Sequence, residues 1–161
     1  GIQRRFEFKG ECGGIRVFDD YGHHPAEIRA TLRAAKESLL SPNGRDGRLV
    51  VLFQPHRFTR TRDLLEEFGA SFSDAGALFV MDIYPAGEKP IEGVNSQAVL
   101  RAIEDNGHKD ATHIHDREAL LEALMRKLRP EDLFMTIGAG DVWKVGEELL
   151  KRMKDDKAIA G

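Results

Sequence analysis

The chain has 161 residues, of which 32% are charged and 41% hydrophobic, with a formal net charge of -3. This length suits one domain with a real core, residues 1–161, and the mild acidity excludes a dedicated nucleic-acid binder, which would carry a basic stripe. A single cysteine, Cys12, excludes a disulfide framework and fits a reducing cytoplasm, and apolar runs such as LVVLF at 49–53 are far too short to cross a bilayer.

The opening GIQRRFEFKGE lacks the long apolar segment of a signal peptide and an initiator Met, which predicts a piece of a longer chain. RRFEFKGECGG alternates like an edge strand and is expected to pair antiparallel through a turn at Gly13 and Gly14. GIRVFDDY then reads as the first buried strand. In PAEIRATLRAAKESLL, Ile28, Leu32, Ala35 and Leu39 share one helical face, and Pro25 suits the first helical position. SPNGRDG follows as a surface loop, and RLVVLFQ as a second buried strand. TRDLLEEFGASF predicts one helix with Leu64, Leu65, Phe68 and Phe72 on its apolar side. ALFVMDIY is a strand, PAGEKPIEG a loop, and SQAVLRAIED a helix carrying Val99, Leu100 and Ile103. THIH reads as a strand. DREALLEALMRKL is a helix that opens on Asp116 as N-cap and buries Leu120, Leu124 and Leu128. DLFMTIG is the last strand. A final helix starts near Val142, with Val145, Leu149 and Met153 on one stripe, and KDDKAIAG reads as a frayed tail.

Alternation of strands and helices at these lengths implies right-handed crossovers. The expected fold is α/β: a Rossmann-like, open, mostly parallel sheet, helices on both faces, with an antiparallel N-terminal edge strand. Ligands of such sheets bind beyond the carboxyl ends of the strands. Polar clusters lie at those ends. DDYGHHP offers Asp20 as an acceptor for sugar hydroxyls and Tyr21 as a flat face for a base, with His23 and His24 before a helix; the alternative makes Asp20 a turn residue and His24 a cap. QPHRFTRTR gathers His56, Arg57, Arg60 and Arg62, and arginine forks grip carboxylates and phosphates. IGAGD is a glycine turn that either presents N–H groups to an anion or simply packs tightly. DIYPAGEKP adds a fourth loop.

Other patterns carry less. His113 and His115 have metal-like spacing but no further ligand nearby in sequence, so surface or packing roles are expected. No metal site is predicted. There is no serine elbow and no G-x-x-x-x-G-K-[ST] loop, so ATP phosphates would be held elsewhere.

Taken together, DDYGHHPAEIRATL, LFQPHRFTRTRDLLEEF, YPAGEKPIEGVNS and GAGDVWK resemble the C-terminal domain of the bacterial Mur ligases. RRFEFKGE resembles that family's lead into this domain. The resemblance reaches almost the whole chain except the last tail. It implies a three-domain, ATP- and magnesium-dependent ligase whose UDP-sugar-binding and central domains, with most magnesium ligands, are absent here. It implies activation of UDP-N-acetylmuramate as an acyl phosphate and attack by L-alanine. By the same resemblance, Asp20 contacts the ATP ribose and Tyr21 neighbours the adenine. His23 faces the reaction centre. His56, Arg57 and Arg60 lie at the alanine and acyl-phosphate end, and Glu88, Gly138, Ala139 and Gly140 lie near the amino acid. Tyr21 and Gly22 favour the alanine-adding branch over the muropeptide-recycling branch, which carries a Phe-Ala version. One departure is DVWK after GAG, where the family has an Asn-Ile-Gly-like run. Two rival readings remain: a metal-dependent phosphoesterase using Asp19, Asp20, His23, His24 and His56, and a stand-alone nucleotide-binding module.

Overall fold

The computed structural model describes residues 5–39 and 47–160. The predicted loop at 41–47 falls almost wholly outside the described residues. Six strands form one sheet in the order β1-β2-β6-β3-β4-β5. They are β1 (Glu7–Cys12), β2 (Ile15–Asp20), β3 (Leu49–Phe53), β4 (Ala77–Val80), β5 (Ala111–His113) and β6 (Leu133–Ile137). β1 pairs antiparallel with β2, and every other pairing is parallel. The β1–β2 turn has Gly13 at φ 58° and Gly14 at φ 81°. Two successive left-handed residues twist as the strands do, and glycine reaches them without a Cβ clash.

Strand alternation splits the core in two. Leu49, Val51 and Phe53 point to one face with Ile28, Leu32 and Ala35 of helix α1 (Pro25–Leu39). Val50 and Leu52 point to the other, against Leu120 and Leu124 of α5 (Arg117–Lys127) and Leu149 of α6 (Trp143–Ala160). Each strand of the central trio is fully buried because helices cover both faces. Asn95 caps α4 (Ser96–Asp105) and Asp116 caps α5, each accepting from the amide three residues on.

Two predicted elements differ. The helix expected over 61–72 is two short ones, α2 (Phe58–Asp63) and α3 (Leu65–Gly69). Leu64 leaves helical geometry at φ -118°, ψ 22°. Close packing guides this break: a Cβ on Gly69 would lie 2.6 Å from the Ala102 carbonyl oxygen, so α3 lies directly on α4. Phe72 lies beyond the helix and packs on Phe53, with ring centroids 4.9 Å apart. The predicted tail is instead the last turns of α6, which run to Ala160; no Gly or Pro interrupts them. Among the described residues no helix is long and apolar enough to cross a membrane.

β6 lies between β2 and β3, although those two are consecutive parallel strands in the chain. The connections therefore diverge at this point, and the crevice beyond the carboxyl ends of β2, β6, β3 and β4 is where this topology places a ligand.

Candidate active site

Four rings cross that rim in sequence. Tyr21 meets His23 edge-on with centroids 5.2 Å apart, His23 lies 6.0 Å from His56, and His56 stacks on Tyr84 at 5.5 Å and 9°. The first and second polar clusters are thus one site. Tyr84 belongs to it as well; the sequence placed it in the DIYPAGEKP loop after β4 but gave the residue itself no role.

The 21–24 turn is held by two carboxylates. Asp20 is fully buried, and its oxygens accept from the Phe6 amide at 2.8 Å and the Gly22 amide at 2.7 Å. Asp20 is therefore a turn residue in this structure rather than an exposed acceptor for a sugar. Glu27 accepts from the amides of His23 (3.4 Å) and His24 (3.1 Å) and from Arg5 Nη1 (2.9 Å). It performs the reach-back half of a capping box, bonding the amide of His24, which stands at the N-cap position before α1. Burial pushes its carboxyl pKa up, but these bonds outweigh burial and hold it below the ordinary value. The leading residues Arg5 and Phe6 are thereby tied to both ends of the turn. Glu27→Gln is expected to cost about 1 kcal/mol and to speed amide exchange at His23 and His24, read by hydrogen-exchange NMR.

Hydrogen-bond partners assign the two imidazoles. His23 Nδ1 lies 3.2 Å from the Tyr21 carbonyl, so Nδ1 carries the hydrogen and Nε2 is the acceptor in the neutral ring. His56 Nδ1 lies 3.0 Å from Arg60 Nη1, which can only donate, so Nδ1 accepts and Nε2 carries the hydrogen. Arg60 Nη1 also bonds the His56 carbonyl at 3.2 Å. Burial, then the charge of Arg60, lowers the His56 pKa from 6.5 to about 4. The sign follows: between those values the unfolded chain binds a proton that the folded chain refuses, so stability declines as pH falls from 6.5 towards 4. Urea midpoints compared at about pH 7 and about pH 4 should drop less in His56→Gln than in the wild type.

Arg57 is exposed, on a backbone at φ 75° and ψ 139°. This region is strained for any residue with a Cβ. The strain is held by Arg57 N donating to Tyr84 O at 2.8 Å, and by Thr61 N (3.2 Å) and Thr61 Oγ1 (2.7 Å) donating to Arg57 O. Glu88 binds Thr59, accepting from its amide at 3.0 Å and its hydroxyl at 2.5 Å. Those bonds, the hydroxyl first, lower its pKa. Glu88 thus ties the 85–93 loop to the first turn of α2. Arg62 turns to Asp63 at 2.8 Å and does not join Arg57 and Arg60.

The glycine turn packs. Gly138 N donates to Asp20 O at 3.1 Å, and a Cβ there would lie 2.9 Å from the Gln54 carbonyl oxygen. A Cβ on Gly140 would lie 2.6 Å from Gln54 Oε1 and 2.7 Å from Tyr84 Cγ. Gln54 Nε2 donates to Asp141 Oδ1 at 2.8 Å, which joins β3 to the turn. Ala139 is half-buried between them.

The metal-dependent phosphoesterase reading finds no geometry. Asp19 and Asp20 are both buried and, as neighbours on a strand, point to opposite faces. Thr136 Oγ1 donates to Asp19 at 2.6 Å. Among the described residues no group of three or more His, Cys, Asp or Glu is placed to hold a metal ion. His113 and His115 both turn onto Asp82, the first at 2.6 Å.

The molecule is an α/β domain whose mostly parallel sheet carries two arginines and an imidazole pair beyond its strand ends, a rim suited to anions. The chain belongs to the Mur ligase family: the model of its glutamate ligase domain matches residues 4–140. It is 52% identical over 156 residues to a UDP-N-acetylmuramate–L-alanine ligase of Geotalea uraniireducens (strain Rf4), covering 97% of this chain and 33% of that protein. It is 52% identical over 157 residues to the same-named ligase of Geobacter sp. (strain M21), covering 98% of this chain and 33% of that one. The crystal structure of a UDP-N-acetylmuramate-alanine ligase from Thermotoga maritima superposes with a TM-score of 0.74 at 25% identity, covering 95% of this chain and 30% of that chain. The chain therefore spans about one third of the length of the curated relatives it matches.

Proposed function

We propose that this chain is the C-terminal domain of the ATP-dependent ligase that joins L-alanine to UDP-N-acetylmuramate, a cytoplasmic step in peptidoglycan precursor synthesis. The observation that carries the reading is the imidazole pair beside Arg57 and Arg60, in a chain 52% identical to ligases of that name.

Forming an amide from an acyl phosphate needs three things. The amine must shed a proton, the carbonyl oxygen must be stabilised as it gains charge, and the amino acid must be held by its carboxylate. His23 Nε2 is the acceptor suited to the proton. His56 Nε2–H, with Arg57 and Arg60, supplies donors for the tetrahedral oxyanion and the leaving phosphate, and an arginine fork fits the alanine carboxylate. Keeping His56 neutral preserves it as a donor with a defined hydrogen. Glu88 and the 138–140 turn shape the amino-acid side by holding α2 and the end of β3. Tyr21 lies beside the adenine, and Asp20 serves the nucleotide by fixing the turn that carries Tyr21. ATP phosphates and magnesium would be held chiefly by the remaining two thirds of the ligase, since this chain has neither a phosphate loop nor a metal cluster among the described residues. Alone, the chain is inactive, and domain closure assembles the site.

The test is an NMR titration of the labelled chain with L-alanine and a non-hydrolysable ATP analogue plus magnesium. Amide shifts gathered at 20–24 and 56–60 are expected. Shifts gathered at the opposite edge, around 69–76 and 106–110, would count against the reading.

A further inference from the structure

Tyr84 meets the arginine turn through both its backbone and its ring. The β3–β4 ladder stops at Phe53 and Val80, then resumes for one isolated parallel bridge between His56 and Tyr84. Tyr84 N donates to Pro55 O at 2.8 Å, and Arg57 N donates to Tyr84 O at 2.8 Å. The backbone of Tyr84 therefore fixes both neighbours of His56, one of them the strained Arg57. Its ring lies nearly parallel to the imidazole, 9° off with centroids 5.5 Å apart. The same ring meets Gly140, where a Cβ would come within 2.7 Å of Cγ and 2.8 Å of Cδ2. One half-buried side chain thus touches both the arginine turn and the glycine turn.

We infer that Tyr84 is a positioning residue for the reaction centre: its ring face holds the His56 imidazole in the Nε2–H form bound to Arg60, and its contact with Gly140 sets the distance between the two turns. This rests on the reading of His56 and Arg60 as the acyl end of the site. A flat aromatic face suits the task. It covers one side of the imidazole without offering a hydrogen-bond partner, so both ring nitrogens stay directed at their edges. It also excludes water, and burial is the largest of the influences that keep this histidine neutral. A protonated imidazole would gain a cation–π contact with the same ring. Arg60 decides against the cation, because its guanidinium nitrogen sits 3.0 Å from Nδ1. Tyr84 touches His56 rather than the reacting atoms, so it acts through His56.

The test reads His56 directly, with or without ligation. Histidine 15N shifts would be followed against pH in the 161-residue chain. The variants are Tyr84→Phe, Tyr84→Ala and Gly140→Ala, the last pushing the ring aside from the other turn. Wild type and Tyr84→Phe should show the Nε2–H tautomer and the same low titration point. Tyr84→Ala and Gly140→Ala should show mixed tautomers and a titration point raised by about one pH unit. An unmoved His56 in both, or a Phe variant shifted as far as the Ala variant, would overturn the assignment. In a full-length ligase, Tyr84→Ala should lower kcat more than it raises KM for L-alanine, with recovery in Tyr84→Phe. A moved His56 with unchanged ligation would leave the role of Tyr84 standing and would count against His56 as part of the reaction centre.

Discussion

In a full-length ligase carrying this chain, Arg57→Ala is expected to lower kcat/KM for joining L-alanine by about 10²–10³-fold, as removal of one oxyanion donor does. The same change should leave stability nearly untouched, because the side chain is exposed and the backbone strain remains. Arg57→Gly separates the two effects. Glycine adopts φ 75° and ψ 139° without a Cβ clash, so the strain of about 1–3 kcal/mol is relieved. Part of that gain is lost to the greater freedom of glycine in the unfolded chain, about 0.4–1 kcal/mol. The net expectation is a fold more stable by about 1 kcal/mol that is as inactive as the alanine variant. Urea unfolding and a ligation assay on the same variants check both halves. An active Arg57→Ala ligase would remove Arg57 from the site. A glycine variant less stable than wild type would mean that the backbone there is not strained.

Asp20→Asn is expected to destabilise the chain by about 2–3 kcal/mol, without any nucleotide present. The carboxylate is fully buried and accepts from Phe6 N and Gly22 N with different oxygens. Asparagine can keep one of those bonds, but its NH₂ then faces the other donor. A bond to a charged acceptor contributes about 1.5–3 kcal/mol, and a buried unsatisfied amide adds to the loss. The packing is tight as well: a Cβ on Gly22 would lie 2.8 Å from Asp20 Oδ1. A residue whose role was confined to touching a ribose would behave otherwise, leaving unfolding unchanged and weakening ATP binding alone. Urea unfolding of wild type and variant distinguishes them, and equal midpoints would contradict the buried role.

Much of the architecture was legible because its signals are local. Buried strands announced themselves as β-branched and aromatic runs, Asp116 marked a helix start, and Gly13 with Gly14 marked the hairpin. The helix break at Leu64 was not legible, since it depends on how Gly69 lies against α4. The helical end of the chain was misread because charged residues after Met153 suggested fraying, although none of them disfavours a helix. At the site, sequence order placed Tyr21, His23, His56, Arg57 and Arg60 on one rim. It could not show that Asp20 points inward, that Glu88 is tied to Thr59, or that Arg62 turns away to Asp63. Those are matters of side-chain direction within a turn. Tyr84 and Gln54 were missed for a related reason: each matters through a partner far away in the chain. Glu27 was missed although its bonds to His23 and His24 are local and it had a usable signal, an acid two residues after a helix-starting proline.

The most direct test of the account replaces the matching third of the Geotalea uraniireducens relative by this chain and measures ATP-dependent joining of amino acids to UDP-N-acetylmuramate. The account predicts that the chimera joins L-alanine, and that Arg57→Ala with Arg60→Ala abolishes joining while the chimera stays folded. A folded chimera that prefers another amino acid, or one that joins L-alanine equally well without both arginines, would contradict it.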